Sequence, residues 1–193
     1  MKIEQSLFEG EHICLGPIDH EKDPEIESRW THDASYLRMV SVDPALPASP
    51  AQIKKRYDAI EKEQEDKNNL YHFTLRMRSD DRLIGFARLY WIEWSNSAGF
   101  ISLGIGDPTD RLQGYGSEAL GLLLRFAFDE LNLYRLSAVI PEYNTLALHV
   151  FGKAGFVEEV RRRQSVNRDG RRWDLIHLGI LHEEWRARLA ESA

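Results

Sequence analysis

One cysteine, Cys14, stands among 193 residues, so no intramolecular disulfide or cysteine metal cluster is available, and a reducing compartment is the simpler expectation. The 7 histidines show no H-x-x-x-H or H-E-x-x-H spacing, so no metal site is expected. No apolar run approaches the length of a membrane span, and the opening MKIEQSLFEGEHICLG lacks the apolar core of an export signal. The chain therefore reads as cytoplasmic, with no membrane partner. Basic charge is also short: a formal net charge of -6 argues against general nucleic-acid binding and is compatible with a cationic partner such as an amine. Repeats and low-complexity tracts are missing. What remains, 42% hydrophobic and 29% charged residues, is the composition of one soluble globular domain with a sizeable core.

Local signals divide the chain into elements. Glu11 to Leu15 predict a first strand, and the region from about Pro24 to Met39 is helical. Three prolines fall between Asp43 and Pro50, where Ser49 is placed to cap a helix with Pro50 at its first position. That helix runs to about Glu65, with Ile53, Tyr57 and Ile60 on one side. Tyr71 to Met77 and Leu83 to Trp94 form two strands around the turn Arg78-Ser79-Asp80-Asp81. Farther on, Arg135 to Ile140 is a strand stopped by Pro141, and Thr145 to Ala154 is a helix stopped by Gly155. Residues 156–166 and 171–181 read as a hairpin about Asn167-Arg168-Asp169-Gly170. Strands that first pair as hairpins and later flank helices imply a mixed sheet covered on both faces, an α/β or α+β sandwich.

Residues 98–131 are the most informative: the apolar run AGFISLGIGDP, the loop TDRLQGYG and the amphipathic run SEALGLLLRFAFDEL. Ile101, Leu103 and Ile105 alternate with Ser102, Gly104 and Gly106 at the period of a strand, and the two glycines let another chain or a ligand approach the backbone closely. From Ser117, Leu120, Leu123, Leu124, Ala127 and Leu131 recur at helical spacing. A strand that passes through a glycine-bearing loop into a helix exposes backbone N–H groups at the helix start, a site for phosphate oxygens. An unliganded turn is the bland alternative. Gly114 to Ala119 also satisfies G-x-G-x-x-A, but Asp110 to Gln113 intervene before the first glycine and the next strand ends without a ribose-binding acid. No Gly-Lys-Ser/Thr follows, which excludes a phosphate-loop NTPase.

The segment Arg111-Leu112-Gln113-Gly114-Tyr115-Gly116 matches the Q/R-x-x-G-x-G/A signature of the GNAT N-acetyltransferase superfamily, which this chain resembles. The series continues with Phe126-Ala-Phe-Asp-Glu-Leu-Asn-Leu-Tyr-Arg135, Asn144, Gly155-Phe156, Arg162, Asp169-Gly170, Asp174 and Glu184-Trp185, similar to the RimJ/RimL branch over about residues 82–185. The resemblance implies one domain over residues 1–193, with its mixed sheet splayed between the fourth and fifth strands and acetyl-coenzyme A in the gap. It places the pyrophosphate on amides from Arg111, Leu112, Gln113, Gly114, Tyr115, Gly116 and Ser117. A bulged strand at Leu103, Gly104, Ile105 and Gly106 would pair with the pantetheine arm and polarise the thioester. Asn144 would reach toward the coenzyme, and the N-terminal helices, about 24–66, would read the acceptor. Homodimers are common among such relatives.

The implied reaction is acetyl transfer to a primary amine, of a protein or peptide N-terminus or a small molecule, by direct attack in a ternary complex. Where many relatives carry a proton-donating Tyr, this chain has Phe151, which lies on an apolar helical face with Ala147, Val150 and Ala154. Thiols ionise near pKa ~8.5, so a thiolate can leave and take its proton from water. A non-catalytic acyl-coenzyme A sensor stays open beside the enzyme, as does a polyamine or aminoglycoside acetyltransferase. Glu93, Asp107 and His32 are candidate bases, and His149 a weaker one, each equally an ordinary surface group. Asn144 is equally a helix N-cap. Trp30, Tyr36, Trp91 and Trp94 are either an acceptor-pocket wall or core. Arg161, Arg162, Arg163, Arg168, Arg171 and Arg172 read as a solvated, salt-bridged hairpin.

Overall fold

The computed structural model describes residues 6–191, so the first residues of the segment read for an export signal lie outside it. Strand β1 (Ile13–Gly16) is followed by helices α1 (Asp23–Thr31), α2 (Ala34–Val40) and α3 (Pro50–Lys67). Strands β2 (Tyr71–Met77), β3 (Leu83–Glu93) and β4 (Ala98–Ile105) come next, then a 3₁₀ turn (Pro108–Asp110) and helix α4 (Tyr115–Arg125). Strand β5 (Arg135–Pro141), helix α5 (Thr145–Ala154), the hairpin β6 (Val157–Arg168) and β7 (Arg171–Leu181), and helix α6 (His182–Glu191) complete the chain. The strands form one 7-stranded sheet in the order β1-β2-β3-β4-β5-β7-β6.

Local chemistry explains the starts of these elements. Ser49 caps α3 as its sequence predicts: its hydroxyl accepts from the Gln52 N–H, and the Gln52 side chain accepts from the Ser49 N–H. The helical region from Pro24 to Met39 is two helices, because Asp33 leaves the helical conformation and its carboxylate accepts from the Ser35 N–H to cap a new helix. Likewise the run after Ser117 is α4 and then a wider π-type turn at Phe126–Glu130. The terminal helix α6 carries no comparable amphipathic stripe and goes unpredicted.

Two layers of unequal size cover the sheet. On one face α4 buries Ala119, Leu120, Leu122, Leu123 and Leu124 against Ala87 and Leu89 of β3 and Ile101 of β4. Each such leucine contributes about 2 kcal/mol through the apolar area it removes from water. On the other face lie α1 to α3, whose smaller clusters join Trp30 and Tyr36 with Leu83, and Ile53 with Tyr57. Asp23 of α1, fully buried, is held by Arg76 of β2 at 2.6 Å.

The feature that positions a site is the parting of β4 from β5. Strand β4 pairs with β3 up to Ile105, but with β5 only over Ala98 to Phe100, against Arg135 to Ser137. From Ile101 onward β4 has no β5 partner, while β5 keeps its pairing with β7 as far as Pro141. This is the splay between the fourth and fifth strands, within a mixed sheet flanked by helices.

Candidate active site

The loop that leaves the open end of β4 is fastened at three points. Arg82 grips the buried carboxylate of Asp110 with both Nη groups, at 2.6 and 2.9 Å. Arg111 donates to the carbonyls of Ile105 and Gly106 and lies over the Tyr36 ring. Asp107 accepts from the Thr109 N–H and hydroxyl, which holds its carboxyl below the usual range. Past these ties the chain turns left-handed at Leu112 and again at Gly114, with φ values of 62° and 90°, and enters α4. Nothing lies within 4 Å of where a Gly114 Cβ would stand, so glycine answers the backbone angle there and leaves open space above it.

The consequence is a run of unpaired donors. Among the described residues the N–H groups of Leu112, Gln113, Gly114, Tyr115 and Gly116 donate to no acceptor, whereas those of Ser117 and Glu118 turn back to the Gly114 carbonyl. Five consecutive unpaired amides, leading into the positive end of α4, are donors that an anion beside the gap can use. Gln113, Tyr115 and Gly116 serve it by backbone; Arg111 acts as a strap, and the Ser117 amide is already used.

Backbone alternation decides which groups of β4 face the gap. Gly106 donates to Ile84 of β3 at 2.9 Å, so Gly106, and by alternation Gly104, bond inward along the ladder. Leu103 therefore turns its N–H and C=O groups toward the missing β5 partner, as Ile105 does its N–H, while the Ile105 carbonyl accepts from Arg111. On the α1 to α3 face, packing comes close to both glycines. A Cβ on Gly106 would stand 2.0 Å from the Trp30 ring, and one on Gly104 2.8 Å from Val40.

The far side of the gap is occupied by polar and apolar residues with different duties. The Asn144 side chain caps α5 by accepting from the Ala147 N–H and donates to the Met39 carbonyl at 3.0 Å. Tyr143 donates to the Arg38 carbonyl at 2.8 Å. Together they hold the end of α2 across the mouth. Phe151 is buried against Phe156, with ring centroids 4.9 Å apart, and offers no exchangeable proton.

Behind the mouth, on the α1 to α3 face, a cavity of about 450 Å³ runs from Met39 and Asp43 to His72, Arg88, Tyr90 and Val139. His72 and Arg88 line it side by side, in a row across three strands that Ser102 completes: His72 pairs with Arg88, and Arg88 with Ser102. Arg88 Nε donates to Ser102 Oγ at 2.9 Å, and its guanidinium lies over the rings of Phe86 and Tyr90. Burial, reinforced by the Arg88 charge, lowers the His72 imidazole to about 4, so it is neutral at pH 7. Its Nδ1 is buried without a partner. Sequence reasoning passed over Arg88 and His72; the only signal was a charged residue inside an otherwise apolar strand, FARLYW.

Other expected residues are dispersed. Glu93 pairs with Ala98 at the closed end of β4 and accepts from Asn96, about 23 Å from Ile105 at roughly 3.3 Å rise per residue. His32 and His149 are exposed, on α1's C-terminal cap and on α5. Trp30 and Tyr36 are core, and Trp94 donates to the Asn68 carbonyl; of the four aromatics, Trp91 borders the cavity. On the hairpin Arg161 pairs with Glu158 and Asp174, and Arg171 stacks on Trp173. Arg168 and Asp169 instead reach the cavity's lid, at the carbonyls of Val42 and Asp43 and the Arg38 side chain. No helix among the described residues is long and apolar enough to cross a membrane.

Comparison with known proteins agrees with this architecture. The family described as acetyltransferase (GNAT) domain matches residues 12–157. The probable N-acetyltransferase YjcK of Bacillus subtilis is 28% identical over 184 residues, covering 92% of this chain and 98% of that protein. Among solved structures, the spermidine N-acetyltransferase of Vibrio cholerae, in complex with CoA and spermine, has a TM-score of 0.78 at 18% identity, over 90% of this chain and 98% of that one. A GNAT-family acetyltransferase of Bacillus anthracis has a TM-score of 0.75 at 20% identity, over 92% of this chain and 99% of that one. At these identities the structural likeness is one of fold.

Proposed function

The chain belongs to the GNAT acetyltransferase family and is an N-acetyltransferase, and from that premise we propose how it binds acetyl-coenzyme A and which groups carry the transfer. The observation that supports the reading best is the run of unpaired amides from Leu112 to Gly116 at the open end of β4. The pyrophosphate lies on these amides, and the pantetheine arm enters the gap as a strand would, paired with Leu103 and Ile105. One of those N–H groups points at the thioester oxygen and stabilises the negative charge that develops there.

The acceptor reaches the thioester from the cavity on the opposite face. Its neutral amine attacks the carbonyl carbon, the new C–N bond forms, the C–S bond breaks, and coenzyme A leaves as thiolate. Phe151 supplies no proton, so the thiolate takes one from water. The amine proton likewise passes to solvent in the cavity, because Glu93 is remote and Asp107 is tied into its turn. Transfer is direct: among the described residues Ser102 accepts from Arg88 and has no base beside it to make it a nucleophile. The motif series from Phe126 to Trp185 supports a RimJ/RimL-like place within the family and one domain with an acceptor side at about 24–66 and a coenzyme side at about 82–185.

Phe151 favours one other reading, an acyl-coenzyme A sensor without turnover. Thiol release and product mass, measured with acetyl-coenzyme A and a broad amine panel, separate the two. Amine-dependent release with an acetylated product supports the transferase; saturable coenzyme binding without turnover supports the sensor; absence of both overturns the site.

A further inference from the structure

Resting on the acetyltransferase reading, we propose that the acceptor is a small amine that also carries a carboxylate, an amino acid or short peptide, and that Arg88 selects it by gripping that carboxylate. The guanidinium is held in place but not used up. Ser102 Oγ takes Nε at 2.9 Å, whereas Nη1 and Nη2 have no acceptor among the described residues. Among the described residues no other part-buried arginine is left so: Arg76 ends on Asp23, Arg135 on Glu159, and Arg111 on two carbonyls. The fork at Arg88 therefore faces the cavity with planar donors spaced to meet two carboxylate oxygens.

Its surroundings fit an anion that arrives with the substrate. The Phe86 and Tyr90 rings, 5.6 and 5.1 Å from the guanidinium, shield it from water and strengthen a charge pair formed there. Beside it in the same row, His72 is neutral and keeps a buried, unpartnered Nδ1. The cavity's own carboxylates, Asp43 and Glu63, have partners other than Arg88. Asp43 accepts from the Ser41 hydroxyl at 2.9 Å, and Glu63 pairs with Lys67 at 3.0 Å. A cavity that holds both an open guanidinium and carboxylates suits a zwitterion, and Arg88 disfavours a purely cationic polyamine, which would bring positive charge against it.

Reach sets the size. Adjacent strands lie about 4.8 Å apart, and Arg88 stands on β3, one strand from the β4 edge where the thioester would lie. An acceptor spanning roughly 5–10 Å between amine and carboxylate fits within 450 Å³, the scale of a dipeptide or of an amino acid whose reacting amine ends its side chain.

The test uses the full chain with acetyl-coenzyme A and matched acceptors: amino acids and dipeptides with free carboxylates, the same compounds as C-terminal amides, and spermidine. The free acids are expected to have KM values roughly 10- to 100-fold below their amides, the range of a charge-assisted bidentate pair. In Arg88→Gln that ratio falls to near one while the coenzyme dissociation constant is unchanged; Arg88→Lys restores part of it. Amides or spermidine used as well as the acids by the unaltered protein overturn the inference and leave the acetyltransferase reading standing. Transfer to no amine at all overturns both. A melting curve for Arg88→Gln that matches the parent ties the altered ratio to recognition.

Discussion

Replacing Arg82 by methionine tests whether the amide cradle depends on its fastening. Asp110 is only 6% exposed, and both its oxygens accept from Arg82, at 2.6 and 2.9 Å. Removing one member of a fully buried pair costs about 3–5 kcal/mol, because the other charge is left unpaired. Here the Arg82 side chain is 46% exposed, so water reaches one side of the pair and the figure falls to about 1–3 kcal/mol. The cost need not unfold the sheet. The turn at Pro108–Asp110 can open alone, hydrating Asp110 and releasing the strand-to-helix loop. Acetyl-coenzyme A must then re-order the loop from its own binding energy. At about 2 kcal/mol its dissociation constant rises roughly 30-fold, while the coenzyme-free melting temperature moves by only a few degrees. Calorimetric titration and thermal melting of the same samples give both values. Arg82→Met/Asp110→Leu, which removes the orphaned charge, is expected to recover most of the lost affinity. An unchanged dissociation constant in folded Arg82→Met, or a double variant no better than the single, refutes the reasoning.

The other expectations follow from separate sites. Gly114→Pro cannot adopt a φ of 90° and removes one cradle amide, so coenzyme affinity falls at least about 10-fold by calorimetry while melting is little changed. Arg76→Met leaves Asp23, at 0% exposure, as an unpaired buried charge, and urea titration should show a loss of about 3–5 kcal/mol. His72 is depressed to about 4 in the folded chain against 6.5 unfolded, so the unfolded state binds the extra proton first. Stability is therefore expected to fall as pH drops from 6.5 toward 4, and His72→Phe should flatten that part of the melting-temperature profile.

How far the sequence carried the fold depended on the range of the interactions involved. The start of α3 was legible because Ser49, Pro50 and Gln52 act within one turn. The break at Asp33 was not, since an acid in a helical run becomes a cap only where the chain must turn, and here Arg111, far along the sequence, lies beside it. The glycines of β4 pointed correctly to a close approach, but only packing revealed the Trp30 ring as the approaching group. The amide loop was readable as a motif; that its donors stay unpaired required the fold. Glu93 and Asp107 looked equivalent in sequence, and strand register put the first at the wrong end of β4. Arg88 was hidden for the opposite reason: FARLYW reads as core, and its meaning appears only when β2, β3 and β4 set His72, Arg88 and Ser102 in one row beside a cavity.

Calorimetric titration of acetyl-coenzyme A into the purified protein tests the central claim, that the gap beside β4 with its amide loop is a coenzyme site, without any choice of acceptor. Saturable one-site binding in the micromolar range is expected. An absence of binding heat at millimolar coenzyme, with the protein shown to be folded, would contradict it.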